Sequence, residues 1–164
     1  MDISLAKYYK WEKCWEEEYK VFNVTHVDDI ALRLCTKKRL MVACIDPANP
    51  DVAKVAANAP RDDVMFHTIF NVPINEDTQP PPIIPHEANG VSWYWNTNNS
   101  FGFAPAGETV ILHDCDISTN PDRMCVHFAQ SYVINGYSCG SMRRGYVDNW
   151  KRLILQTDED TNDP

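Results

Sequence analysis

Between Gly90 and Gln156, turn-forming residues divide the chain into short runs of β-branched and aromatic residues, with a turn about every ten positions. Such runs are typical of β-strands, and this spacing of turns is typical of antiparallel sandwiches and barrels. Similar runs occur earlier, at 39–45 and 64–74. The prolines at 80–82 cannot donate ladder hydrogen bonds, so an extended connection is expected there. The pattern therefore predicts a mainly β fold, an antiparallel β-sandwich with a jelly-roll-like order of strands.

The N-terminal segment has a different period. Large apolar side chains recur there every three or four residues, at Leu5, Tyr8, Trp11, Trp15, Tyr19 and Phe22. This is the period of an amphipathic helix, which we expect over residues 4–22. Packing of this helix on the β domain is one interpretation, and docking of its aromatic stripe into a partner's groove is the other. One or two further helical turns are expected at 52–57, after a turn rich in proline.

The length of the chain favours one folded unit. Its 164 residues are close to the usual size of a single domain. We expect residues 1–156 to form that domain, including the helix, and residues 157–164 to form a flexible acidic tail. No apolar run reaches the roughly 20 residues that span a bilayer, and no signal peptide is visible. A soluble protein without a membrane span is expected, in a compartment that the sequence does not assign.

Charge and composition exclude two classes of protein. The chain carries 15 Lys and Arg against 23 Asp and Glu, a formal net charge of -8. Nucleic acid is therefore not an expected partner, because its recognition depends on neutralising phosphates with cations. A hydrophobic content of 44% excludes a wholly disordered chain. The remaining partner classes are a glycan and a protein, which includes further copies of this chain.

A candidate metal or disulfide site is formed by two cysteines and two histidines that flank the turn-rich segment 117–122. If this segment closes a hairpin in which Cys115 lies opposite Cys125, then His113 lies opposite His127. Strand alternation places all four side chains on one face. Three interpretations stay open: a zinc site, a disulfide between the two cysteines, and independent buried thiols with partly exposed histidines. No other cofactor is expected.

Cysteine and histidine can also act in catalysis, so the sequence permits an enzyme. A metal-dependent enzyme would use the four residues above, and a cysteine enzyme would use Cys44 or Cys115 as nucleophile with His67, His113 or His127 as base. No local catalytic signature accompanies these residues, and geometry rather than composition defines a catalytic pair. We therefore expect binding rather than catalysis.

The segment 93–103 is the candidate binding surface because it combines aromatic rings with a turn rich in asparagine. Trp93 and Trp95 share one face of a strand, and the amides offer donors and acceptors at its rim. An exposed aromatic platform beside neutral amides suits the apolar faces and hydroxyl rims of sugars. The expected ligand-binding residues are Trp93, Trp95, Asn96, Asn98, Asn99, Tyr137 and Arg143.

These patterns lead to one functional hypothesis and two alternatives. The hypothesis is a non-catalytic, lectin-like module that recognises carbohydrate through the aromatic and amide-rich hairpin. The first alternative is a structural or assembly subunit that binds partner chains through its aromatic helix and β surface. The second is the metal-dependent or cysteine enzyme.

Overall fold

The described strands form two main antiparallel sheets and one two-stranded ribbon. The structure is a computed structural model, and it describes residues 3–4, 10–19, 33–70, 72, 82–96, 100–111, 120–127, 136–143 and 149–160. In spatial order, the first sheet contains β1 (Ile3–Ser4), β4 (Val52–Pro60), β3 (Arg39–Ile45), β13 (Lys151–Thr157) and β2 (Glu12–Glu18). The second sheet contains β12 (Met142–Arg143), β11 (Gly136–Cys139), β10 (Met124–His127), β8 (Ser100–Pro105), β7 (Val91–Asn96) and β6 (His86–Ala88). The ribbon pairs β5 (Pro82–Ile83) with β9 (Val110–Ile111).

Two short helices, α1 (Arg61–Val64) and α2 (Phe66–Ile69), directly follow β4. The mainly β, antiparallel prediction is confirmed. Both sheets contribute side chains to one buried cluster, as a sandwich requires. The jelly-roll-like order of strands stays a prediction. No described helix is long and apolar enough to cross a membrane.

One disulfide and one hydrogen bond join the sheets across this core. The Cys44–Cys139 disulfide connects β3 of the first sheet to β11 of the second. Tyr19, which is fully buried directly after β2, donates a hydrogen bond from its phenol to the carbonyl oxygen of Ser138, 3.2 Å away. These contacts hold β11 against the first sheet at two successive residues.

The helix expected over residues 4–22 is wrong where the structure describes it, because residues 12–18 form strand β2. A spacing of four residues is one helical turn but also two strand periods, so Trp15 and Tyr19 share a face in either conformation. In the strand, both rings pack around the guanidinium of Arg152 on the neighbouring β13, each with its centroid 5.5 Å from it. Glu17, between them, accepts a hydrogen bond of 2.8 Å from that guanidinium.

An irregularity in the pairing of β2 with β13 explains the position of Trp11, which also belongs to the helix-like pattern. The register shifts between Ile154 and Leu155. The shift allows Trp11 to pack on the opposite face of the first sheet from Trp15. Of the other predicted helix positions, 5–9 and 20–22 lie outside the described residues.

The short helix expected at 52–57 is also wrong, since this segment belongs to β4. Its alanines have high helix propensity, but they pair with β3, where Ala56 lies opposite Ala43. Burial between neighbouring strands outweighs that propensity. The predicted tail over 157–164 begins one residue too early, because Thr157 is buried as the last residue of β13.

The second sheet is covered on its outer face as well. Tyr94, Ala104 and Cys125 form a buried cluster there with Ile83 and Val110, which belong to the ribbon. Gly102 makes this packing possible. A Cβ at this position would lie 2.2 Å from the carbonyl oxygen of Met124 and 2.8 Å from the phenol oxygen of Tyr94.

Candidate functional site

The predicted aromatic platform is not exposed. Trp93 and Trp95 are each 1% exposed and belong to the core between the sheets. Trp93 lies opposite Phe103 in the β7–β8 ladder, and Trp95 lies opposite Phe101. The ring centroids of the second pair are 4.7 Å apart. The expectation that these indoles offer a stacking face to a sugar is therefore wrong, because other aromatic side chains already cover them.

The other predicted ligand-binding residues are dispersed or not described. Asn98 and Asn99 lie outside the described residues, and the structure describes only the backbone of Asn96, Tyr137 and Arg143. Tyr137 and Arg143 lie on β11 and β12, and two strands separate β11 from the β7 strand that carries Asn96. Their binding role stays a prediction, without the indole platform that motivated it.

The predicted hairpin with Cys115 opposite Cys125 and His113 opposite His127 is wrong. Strand β10 has β8 on one edge and β11 on the other, so Cys125 lies opposite Gly102 and Ser138. The strand before it, Val110–Ile111, pairs with β5 instead. A strand has only two edges, and both edges of β10 are occupied. His113 and Cys115 lie outside the described residues, as does the side chain of His127.

Disulfides account for every described cysteine. Cys14 is bonded to Cys35, and Cys44 is bonded to Cys139. Cys125 is also disulfide-bonded, so its sulfur is not a thiolate that binds zinc. The pairing of Cys125 with Cys115 stays a prediction. Cys44 is not a nucleophile in this state, because its sulfur is already bonded.

The structure instead exposes two large apolar side chains around α2, one of which is aromatic. We define the aromatic corner as Phe66, Phe70, Ile84 and His86, together with Asp63. Phe70 is 56% exposed and Ile84 is 42% exposed. The rings of Phe66 and Phe70 have centroids 5.1 Å apart. The imidazole of His86 stacks on Phe66 at 4.0 Å with an interplanar angle of 5°.

Hydrogen bonds connect the aromatic corner to the neighbouring strands. His86 Nε2 and Asp63 Oδ1 are 2.9 Å apart, which ties β6 to α1. The buried His67 donates a hydrogen bond of 2.8 Å from Nε2 to the carbonyl oxygen of Ile84. Thr68 donates to the carbonyl oxygen of Trp95, 3.1 Å away, which anchors α2 on the second sheet. Hydrogen bonds therefore hold the segments that carry the exposed Phe70 and Ile84 side chains.

Burial controls the charge of His67. It lowers the pKa of this imidazole below its usual value of 6.5, the hydrogen bond to Ile84 opposes that effect, and the nearby His86 adds to it. The Nδ1 atom of His67 is buried and makes no hydrogen bond. A proton on Nδ1 would create a charge that no acceptor in this part of the structure stabilises.

The sequence contained a signal for this corner that the strand prediction at 64–74 missed. Pro60 precedes two acidic residues, Asp62 and Asp63, as at many helix starts. Phe66 and Phe70 are four residues apart, on one side of a helix. The expected strand is wrong over Phe66–Ile69, which is helical.

The corner does not provide a metal site or a nucleophile. Within the described ranges, no group of three or more His, Cys, Asp and Glu side chains is placed to hold a metal ion. No described hydroxyl or thiol hydrogen-bonds to the imidazole of His67 or His86. The corner therefore offers an apolar surface with a polar rim, which is suited to binding.

No family model, curated protein sequence or solved structure matches this chain.

Proposed function

We propose that this chain is a non-catalytic binding module of an oxidising compartment, and that it binds a partner protein through the aromatic corner. The disulfides support the compartment, because such bonds persist mainly in secreted and extracytosolic proteins. The observation that carries the binding proposal is the exposure of Phe70 and Ile84 on a rigid base. Both side chains are exposed although hydrogen bonds hold their segments against the second sheet.

Rigid aromatic side chains are effective anchors at protein interfaces. A ring that is already ordered loses little conformational entropy on binding. Burial of a fully exposed Phe side chain contributes roughly 1.5–3 kcal/mol, and the 56% of Phe70 that is still exposed retains about half of that for a partner. The Phe66 ring beneath it is only partly buried, so a partner that covers Phe70 gains adjacent apolar area as well. Residues of this kind commonly form the centre of an interface.

Charge favours a basic partner over a second copy of this chain. The side chain of Asp62 is largely exposed, and that of Asp63 is about one-third exposed. The whole chain has a formal net charge of -8, so two copies repel each other, whereas Lys and Arg on a partner are attracted. We therefore expect the partner to present an apolar anchor flanked by basic residues.

A peptide-display library tests this proposal on the full, disulfide-bonded chain. Panning against the wild type is expected to enrich peptides that combine a large apolar residue with Lys or Arg. Fluorescence anisotropy then measures the affinity of one enriched synthetic peptide for each variant. Phe70→Ser is expected to weaken it at least about tenfold, the loss typical of an interface hot spot. Ile84→Ser is expected to weaken it less.

Leu34→Ser is the matched control, since Leu34 is also exposed but lies on the segment before β3. Its affinity for the peptide is expected to stay within about twofold of the wild type. Enrichment of the same peptides on Phe70→Ser would contradict the proposal. Absence of enriched peptides, together with saturable binding on a glycan array, would overturn it in favour of carbohydrate recognition.

A further inference from the structure

Arg123, directly before β10, is a buried cation without a counter-ion among the described residues. Its side chain is 4% exposed, and its Nε and Nη2 atoms are buried without a hydrogen-bond partner. None of the ion pairs in the described part of the chain includes it. Buried charges in proteins are normally paired, because an unpaired one loses its hydration without compensation. This guanidinium therefore requires an explanation.

The two unpaired nitrogens are the ones that recognise an oxyanion. Nε–H and one N–H of Nη2 point the same way along one edge of the planar guanidinium. Two parallel donors of this kind match two oxygens of a carboxylate or a phosphate. The buried Arg152 differs, because its Nη2 donates to Glu17 at 2.8 Å. The edge that Arg123 leaves unpaired is thus a complete bidentate donor set.

The backbone of Arg123 lies at the start of β10, next to two turns. The carbonyl oxygen of Arg123 accepts a hydrogen bond of 2.8 Å from the N–H of Gly140. Asp122 precedes Arg123 and Ser141 follows Gly140, and both are exposed. Solvent-exposed turn residues therefore lie beside the backbone of Arg123.

We infer that Arg123 is the centre of an oxyanion-binding site that takes a carboxylate or a phosphate group on the Nε–Nη2 edge of its guanidinium. The site is independent of the aromatic corner and of the partner proposed for it. Its ligand class follows from the donor geometry: an anion with two oxygens in one plane, rather than a spherical ion such as chloride.

NMR of the ¹⁵N-labelled, disulfide-bonded chain tests this inference directly. The Nε–H resonance of Arg123 is identified by its absence from the spectrum of Arg123→Met. Acetate, inorganic phosphate and chloride are then titrated at constant ionic strength. A saturable shift of this resonance with acetate or phosphate, but not with chloride, is expected. The anion that saturates at the lower concentration identifies carboxylate or phosphate as the ligand class.

Thermal unfolding provides the matched measurement. Acetate or phosphate is expected to raise the melting temperature of the wild type and of Arg33→Met, which removes an exposed arginine, but not that of Arg123→Met. Without anions, Arg123→Met is expected to melt no lower than the wild type, because an apolar side chain replaces an unpaired charge.

Each of the following results would overturn the inference. An equal shift with chloride indicates an adventitious ion only. A melting temperature that falls in Arg123→Met without any anion, or a failure of that variant to fold, indicates that the protein itself already satisfies the guanidinium. Arg123→Lys, which keeps the charge but loses the two-donor edge, then checks the result: an anion response equal to that of the wild type also contradicts the inference.

Discussion

The β7–β8 hairpin and the aromatic corner are both rich in aromatic side chains, yet only the corner exposes them. In the hairpin, Trp93 and Trp95 are buried against the first sheet. In the corner, Phe70 keeps more than half of its surface in solvent. The difference shows that the density of aromatic residues does not predict a binding surface. What matters is whether another layer covers the face that carries them.

The layers around each region explain this difference. The hairpin lies inside the second sheet, where the first sheet covers one face and the β5–β9 ribbon covers the other. The helix α2 has only four residues and packs on the second sheet with the side that carries Thr68. Phe66 and Phe70 lie on its other side. A sheet strand buried on both faces has no aromatic surface left for a ligand.

The strongest test of this comparison is the removal of a hairpin indole. Trp95→Ala is expected to lower the free energy of unfolding by about 3–5 kcal/mol, because it leaves a large cavity between the sheets. Denaturant unfolding of the oxidised protein measures this change. If the loss stays below about 1 kcal/mol, the indole is not a core residue and the hairpin is open to ligands after all.

The next largest effect is expected from the bond that keeps the hairpin covered. Replacing Cys44 and Cys139 together with alanine is expected to cost about 2–4 kcal/mol, since this disulfide closes a long loop in the unfolded chain. Replacing Cys14 and Cys35, which are only 21 residues apart, is expected to cost less. Thermal unfolding of both double variants measures the difference. A larger loss for the Cys14–Cys35 variant would contradict the loop-length argument.

A smaller, pH-dependent effect is expected in the corner. The pKa of His67 is lowered by burial, so above pH 6.5 the imidazole is neutral in both folded and unfolded chains. Below pH 6.5 the unfolded chain takes up a proton that the folded chain resists, and stability falls until the pH reaches the lowered pKa. His67→Gln retains a donor toward Ile84 and does not titrate. Its unfolding free energy is expected to decline less between pH 7.5 and 5.5, and an identical decline would show that other groups cause it.

The smallest effect on stability is expected at the exposed ring. Phe70→Ser is expected to change the free energy of unfolding by no more than about 0.5 kcal/mol, as for most surface substitutions. Measured beside Trp95→Ala under the same conditions, it separates an exposed aromatic residue from a buried one. A loss comparable to that of Trp95→Ala would show that Phe70 is part of the core and would remove the proposed binding surface.

The sequence predicted what depends on local periodicity. The β-rich runs at 39–45 and at the 93–103 hairpin are strands because alternation and turn residues act within a few positions. The helix predicted over residues 12–18 is wrong because the four-residue spacing of Trp15 and Tyr19 fits a helix and a strand equally. The pairing of this segment with β13, more than 130 residues away, decides between them.

The candidate site was less predictable because it depends on contacts between distant segments. Two adjacent strand patterns predict Cys115 opposite Cys125, but β8 and β11 occupy the edges of β10. Burial of Trp93 and Trp95 requires a second layer that no local pattern reveals. The corner has a local signal in Phe66 and Phe70, yet its rigidity comes from bonds to Ile84 and Trp95.

The Cys44–Cys139 bond also affects how the molecule responds to proteases. These cysteines are 95 residues apart, so more than half of the polypeptide lies between them. A single cut anywhere in that interval leaves the two fragments covalently attached through the bond between β3 and β11. A nicked molecule would thus keep its mass, apart from one added water, until a reductant separates the pieces.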